Sequence, residues 1–131
     1  DFATLTGACM RAIGTTYSGV FTNREELHAD LIKAGRKSGE RVWPFPMDKD
    51  FAECLESTVA DYKQCREKGG VDHIEASQFL MHFAGDHSPW VHVDLSSIEH
   101  AGGLGHVPTE ETGFGVRFAM TFLRDYFGVK H

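Results

Sequence analysis

Most histidines lie in the second half of the chain, several of them near carboxylates, and both residue types are common metal ligands. His92 and Asp94 lie two residues apart. Five further residues of these types lie near them in sequence: His82, His87, Glu99, His100 and His106. No tight helical pattern such as H-E-x-x-H joins them, so a metal site here rests on proximity in sequence alone. The simpler interpretation is that His92 and Asp94 form a hydrogen-bonded core or interface pair on one strand face.

The sequence supports nucleophilic catalysis no better than it supports a metal site. The chain contains no G-x-S-x-G, and Cys9, Cys54 and Cys65 lack any local sign of thiol activation. An odd number of cysteines without a C-x-x-C pair predicts no disulfide framework and fits a reducing compartment.

The stretch from Asp1 to Ala8, D-F-A-T-L-T-G-A, is a stronger candidate for a binding site. It predicts a strand, a glycine turn and a helix start in succession. In open α/β sheets, ligands bind in the crevice where a strand ends and a helix begins. The alternative is that Thr4 and Thr6 are only strand residues that cap the turn.

Helices and strands alternate after this stretch. We expect a short helix over residues 8–13, a strand over residues 17–22, and a helix that Asn23 caps and Gly39 ends. The proline-containing segment 42–46 is predicted to be an apolar connector.

The second half continues the alternation. Asp48 is expected to cap a short helix, and residues 74–83 a longer one. A strand is predicted over residues 90–95, followed by a long loop and a C-terminal amphipathic helix. The apolar residues expected to pack these two longer helices are Ala76, Phe79, Leu80 and Phe83 for the first, and Val116, Ala119, Phe122, Leu123, Tyr126 and Phe127 for the second.

These elements predict an α/β fold with part of a mixed sheet covered by helices. Three strands would leave open edges and uncovered faces, so we expect the chain to complete a larger sheet.

Composition excludes some partners. The 131 residues are enough for one domain, no apolar run approaches the length of a membrane helix, and the formal net charge is −6. Nucleic acid and membrane are therefore not expected partners.

Several motifs resemble those of one family. Besides the D-x-A-T-L-T-G-A stretch, residues 38–46 read S-G-E-R-V-W-P-F-P, residues 55–61 fit L-x-S-x-x-A-D, residues 90–94 fit W-x-H-x-D, and Thr112-Gly113 forms a late T-G. In this order they resemble the leucyl (cytosol) aminopeptidase family. The resemblance identifies residues 1–131 as a C-terminal segment of its catalytic domain, part of a larger two-metal peptidase.

The resemblance implies a cytoplasmic homo-hexamer in which two divalent ions, zinc or manganese, act on peptides. The family's metal ligands and catalytic lysine and arginine lie in segments, among them N-T-D-A-E-G-R, that this sequence does not contain. We therefore expect no catalytic residue and no metal ligand in this chain. Without the missing N-terminal portion it is expected to be inactive.

The resemblance leaves substrate binding to this chain. It implies that the backbones of Leu5 and Gly7 hydrogen-bond the peptide, that Thr4 lines the pocket for the N-terminal side chain, and that Thr112 belongs to the other wall. Glu111 stands where the family has a small or apolar residue. If its carboxylate points inward, a cationic N-terminal side chain is favoured; alternatively it turns to solvent.

Two other functions remain open. The altered loop before Thr112 would suit a non-catalytic aminopeptidase-like subunit with a structural or binding role. The chain could also be an unrelated histidine-rich metal-binding module, which requires that this chain binds metal without the N-terminal portion.

Overall fold

One mixed β-sheet organises the chain. The computed structural model describes residues 1–66, 69–85 and 87–129. The strands are β1 (Phe2–Ala3), β2 (Ser18–Thr22), β3 (Val42–Pro44) and β4 (Val91–Asp94), in the order β1-β4-β2-β3. β1 runs parallel to β4, β2 runs parallel to β3, and β4 and β2 are antiparallel. The carboxyl ends of β1 and β4 therefore lie at the same edge.

Helices cover both faces of this sheet. They are α1 (Gly7–Ile13), α2 (His28–Ser38), α3 (Asp72–Ala84) and α4 (Val116–Tyr126), with short 3-10 helices at Glu25–Leu27 and Lys49–Leu55. α2 packs on α4 and β3, whereas α1 packs on α3 and β2. The expected α/β fold, a mixed sheet covered by helices, is confirmed.

The two faces differ in chemistry. On the α2 and α4 side, Val20 and Val93 of the sheet join Leu31 and Phe118 in one apolar core. On the other side, the Phe21 ring stacks on Phe45, with 5.4 Å between ring centroids, and also packs against buried histidines. The second face is thus more polar than the first.

The start of α2 differs from the prediction. Asn23 does not cap it; its amide group bonds the Ser88 carbonyl and the Trp90 amide instead, at 3.0 and 2.9 Å. The chain enters α2 through the 3-10 helix. The end is as predicted, because Gly39 adopts a left-handed conformation with φ of 79°.

The segment predicted as a connector is a strand. β3 pairs with β2 from Val42 to Pro44. A proline is tolerated there because β3 is the last strand in the described sheet order, and an edge strand can lack one amide donor.

Helix α3 confirms the predicted helix but not its packing. The predicted core residue Phe83 is 68% exposed, whereas Glu75 and Gln78 are buried. Distant partners account for this: Glu75 pairs with Arg66, and the Gln78 side chain donates to the Asp48 carbonyl at 2.9 Å. Buried polar groups are tolerated when they are hydrogen-bonded.

The C-terminal helix is also confirmed with a different packing face. Its one fully buried side chain is Phe118, which the sequence prediction omitted. Val116 and Phe127, predicted on the apolar face, are exposed. Among the described helices, none is long and apolar enough to span a membrane.

Candidate functional site

The turn from β1 into α1 is built by one threonine. β1 ends at Ala3, and Thr6 is the N-cap of α1, where its Oγ1 accepts a hydrogen bond from the Cys9 amide at 3.2 Å. A threonine in this position satisfies an amide that the helix leaves without a partner. The capping role considered for Thr6 is therefore present.

Asp94, the last residue of β4, holds the rest of this turn. Its carboxylate accepts from the Leu5 and Thr6 amides at 3.0 and 3.2 Å and from Thr6 Oγ1 at 2.7 Å. Asp94 is fully buried. The Leu5 amide is therefore not available to a ligand.

A cleft of about 360 Å³ opens beside this turn, next to the carboxyl ends of β1 and β4. Threonine hydroxyls and aliphatic side chains form most of its wall. Its lining residues are Thr4, Thr6, Gly7, Met10, Thr15, Leu95, Ser96, Ile98 and Glu99. Three residues of the T-L-T-G motif thus line one cleft with residues that directly follow β4.

The predicted residues of the other wall lie close to the cleft but do not line it. Thr112 is buried, and its Oγ1 donates to the carbonyls of Ser97 and Ile98 at 2.5 and 3.1 Å. Glu111 is exposed, and its backbone pairs with that of Glu99 in an antiparallel bridge. Both residues therefore support the segment that forms the wall.

His92 is neutral. Burial lowers the pKa of His92 to about 4, although the nearby Asp94 carboxylate opposes this shift. Its Nδ1 lies 2.8 Å from Asp1 Oδ2, so a neutral ring with the proton on Nδ1 donates to that carboxylate. Burial also lowers the pKa of His73, which packs at the same aromatic cluster.

The side chain of Cys9 contributes packing to the site. It is fully buried beneath the turn, and burial raises the pKa of its thiol. A thiol that keeps its proton at neutral pH is a poor nucleophile.

The histidine and carboxylate residues do not converge. Within the described ranges, no three His, Cys, Asp or Glu side chains are close enough together to hold a metal ion. His92 bonds Asp1, and Asp94 bonds the turn after β1. The interpretation of both as hydrogen-bonded core residues fits this structure, although they do not bond each other.

A larger groove of about 410 Å³ lies between β1 and α4. Its wall is mostly apolar, with Phe2, Phe118 and Phe122 among its residues. We favour the smaller cleft as the functional site because Thr4, Thr6 and Gly7 of the motif line it together with other hydroxyl residues, whereas only Asp1 and Phe2 of the motif line the larger groove.

Comparison with known sequences decides the family. A sequence profile of the cytosol aminopeptidase family, catalytic domain, matches residues 1–120. The chain belongs to the cytosol aminopeptidase family. The family predicted from the sequence motifs is thus confirmed.

Individual cytosol aminopeptidases align along nearly the whole chain. A probable cytosol aminopeptidase of Chloroherpeton thalassium is 40% identical over 126 residues, which are 96% of this chain and 25% of the relative. Probable cytosol aminopeptidase 1 of Shewanella oneidensis is 42% identical over 124 residues, 94% of this chain and 25% of the relative. A probable cytosol aminopeptidase of Ehrlichia ruminantium is 39% identical over 130 residues, 97% of this chain and 26% of the relative. The chain thus spans about a quarter of the length of these relatives.

Sequence inspection of this cytosol aminopeptidase segment missed two residues. Asp94 was paired with His92 by strand alternation, but its partners are 88 and 89 positions away. Glu99 was considered only as a metal ligand, yet it lines the cleft. Its position in the same long loop as Glu111 gave no direct signal of this.

Proposed function

We propose that this chain forms one wall of the substrate cleft in a metal-dependent aminopeptidase that releases N-terminal amino acids from peptides. One observation supports this most: Thr4, Thr6 and Gly7 of the family motif line a cleft at the carboxyl ends of two parallel strands. Clefts in this position bind ligands in many α/β proteins.

In this proposal the chain binds and orients the substrate. Thr4 and the aliphatic wall contact the N-terminal side chain, and the backbones of Leu5 and Gly7 hydrogen-bond the peptide. Asp94 fixes the turn with three hydrogen bonds, so these groups are positioned before the substrate arrives. A preformed geometry of this kind favours catalysis.

The chemistry itself is assigned to the remainder of a longer protein. When bound, two divalent ions, zinc or manganese, would activate a water molecule and stabilise the oxyanion. The described residues of this chain do not fit such a site. We therefore propose that the chain is inactive alone. From the family resemblance we also propose that the longer protein is a cytoplasmic homo-hexamer.

The test is a substitution that fills the cleft in the longer, metal-loaded protein. Thr4→Phe places a large ring in the wall and should lower kcat/KM for a leucyl p-nitroanilide by at least about tenfold. Thr58→Phe is a matched control, because Thr58 is exposed and does not line the cleft.

Equal activity of the two variants would contradict the assignment of the cleft. The alternative, a non-catalytic aminopeptidase-like subunit, predicts a different result. In that case the metal-loaded parent protein binds peptides but releases no amino acid from them.

A further inference from the structure

Glu99 introduces a negative charge into an otherwise uncharged cleft. It is the one carboxylate among the residues that line the cleft, which are otherwise hydroxyl, glycine and apolar residues. In the described part of the chain, its carboxylate has no hydrogen bond or ion pair. The charge is therefore available to a ligand.

The backbone on both sides of Glu99 is fixed. The His100 amide donates to the Glu110 carbonyl at 2.9 Å, and the Thr112 amide donates to the Ile98 carbonyl at 2.9 Å. The His100 ring is in turn held by Thr15, with Nδ1 3.0 Å from Oγ1. Glu99 thus lies on a two-stranded support that fixes its backbone beside the cleft.

The residue opposite Glu99 strengthens the negative field. Glu99 and Glu111 form an antiparallel bridge, and directly opposed residues in such a pair have Cβ atoms roughly 5 Å apart. Two like charges in this arrangement repel each other. A cation bound at Glu99 relieves that repulsion as well as forming its own ion pair.

We propose that Glu99 makes this aminopeptidase selective for peptides with a cationic N-terminal side chain, arginine or lysine. The proposal rests on the proposed function, because it takes the cleft as the pocket for the N-terminal residue. It transfers to Glu99 the charge preference that the sequence suggested for Glu111.

One nearby cation acts in the opposite direction. The exposed Arg11 has its Nη1 3.3 Å from the point where a Cβ on Gly7 would lie. If Arg11 dominated the cleft, acidic N-terminal side chains would be preferred. Arg11 lies on the α1 side of the turn, whereas Glu99 is a lining residue, so the carboxylate has the more direct contact with the cleft.

The experiment compares arginine with citrulline, a neutral side chain of nearly the same shape. The longer, metal-loaded protein is assayed with arginyl, citrullyl, leucyl and glutamyl p-nitroanilides. We expect kcat/KM for the arginyl substrate to exceed that for the citrullyl substrate by about tenfold, as for a charge-assisted hydrogen bond. In Glu99→Gln this ratio should fall to near one.

Glu110→Gln is the matched control. Glu110 is an exposed carboxylate on the same loop that does not line the cleft, so its removal should leave the arginyl-to-citrullyl ratio unchanged. If Glu110→Gln lowers the ratio as much as Glu99→Gln does, the effect is one of net charge and the proposal is overturned.

Other outcomes also overturn it. An unchanged ratio in Glu99→Gln, with both substrates weakened equally, would mean that Glu99 binds the α-amine instead of the side chain. A preference of the parent for the glutamyl substrate would assign the cleft to Arg11. Release of leucine without any arginyl preference refutes this proposal alone, whereas no release from any substrate refutes the proposed function as well.

Discussion

At the scale of single residues, Asp94 determines the conformation of the motif turn, the turn from β1 into α1 that contains Thr4, Leu5 and Thr6. Its buried carboxylate is the acceptor for three donors on two residues, Leu5 and Thr6. Such bonds to a charged group are stronger than neutral ones. The turn therefore depends on a residue 88 positions further along the chain than Thr6.

Replacing that carboxylate tests this dependence. Asp94→Asn puts an amide NH₂ against at least one of the three donors, so we expect the free energy of unfolding to fall by about 2 kcal/mol. Thr6→Ser keeps the hydroxyl and should cost less than about 1 kcal/mol. Urea denaturation of both variants measures the difference, and equal losses would contradict the role given to Asp94.

His92 should make stability depend on pH. Its folded pKa of about 4 lies below the ordinary value of 6.5, so the unfolded chain binds more protons between these values. Stability is complete above pH 6.5 and falls as the pH drops towards 4, by about 3 kcal/mol for this residue. His73, whose pKa burial also lowers, adds to the same trend.

The measurement is the unfolding free energy at several pH values for the parent and for His92→Asn. The asparagine amide can still donate to Asp1 but does not titrate, so the variant should lose much of the slope between pH 6.5 and 4. Identical slopes in the two proteins would show that His92 is not the source.

The residue chemistry was only partly predictable from sequence. Thr6 as a cap and Gly39 as a helix end follow from neighbouring residues, which a local pattern can reveal. The bonds of Asp94 and the placement of Glu99 depend on contacts across the fold. No local pattern contains that information.

At the scale of elements, the acidic residue of the S-G-E-R motif connects two helices. Glu40 follows the end of α2, is almost completely buried, and accepts from the Gly115 and Phe118 amides at the start of α4, at 2.9 and 2.7 Å. It therefore caps a helix 75 residues away in sequence. A negative charge at a helix start is also favourable to the helix dipole.

Removing this cap should be costly. Glu40→Ala leaves two buried amides without an acceptor, and we expect a loss of about 3 kcal/mol in unfolding free energy. Both amides bond the same oxygen, Oε2, so Glu40→Gln can keep both hydrogen bonds and loses only the charge and the ion pair with Arg117. Its loss should therefore be smaller, about 1 kcal/mol. Thermal or urea unfolding compares them, and a Glu40→Ala variant as stable as the parent would exclude the capping role.

Element types were predicted better than their packing. The helices at α1, α3 and α4 follow from spacing and glycine stops. β3 was missed because prolines usually exclude strands, except at an edge. The buried polar face of α3 was missed because its partners, Arg66 and Asp48, lie outside the helix.

At the scale of the whole molecule, the chain exposes much apolar surface. Phe83 on α3, Val116 on α4 and Phe127 directly after α4 are more than half exposed, and an apolar groove runs beside β1. Because the chain spans about a quarter of its relatives' length, a longer protein would have further residues to cover these surfaces. That the chain completes a larger sheet stays a prediction.

The strand order has a consequence for folding during translation. β4 lies between β1 and β2, so within this chain β1 has no hydrogen-bonding neighbour until residues 91–94 have been made. Until then, β1 and the edge of β2 that pairs with β4 have no partner strand within this chain. Nascent strands with open edges are prone to aggregate. Translation that stops before Val91 would release a polypeptide in which β1 and β2 both lack the partner strand β4. We expect chaperones to bind such a product and proteases to degrade it.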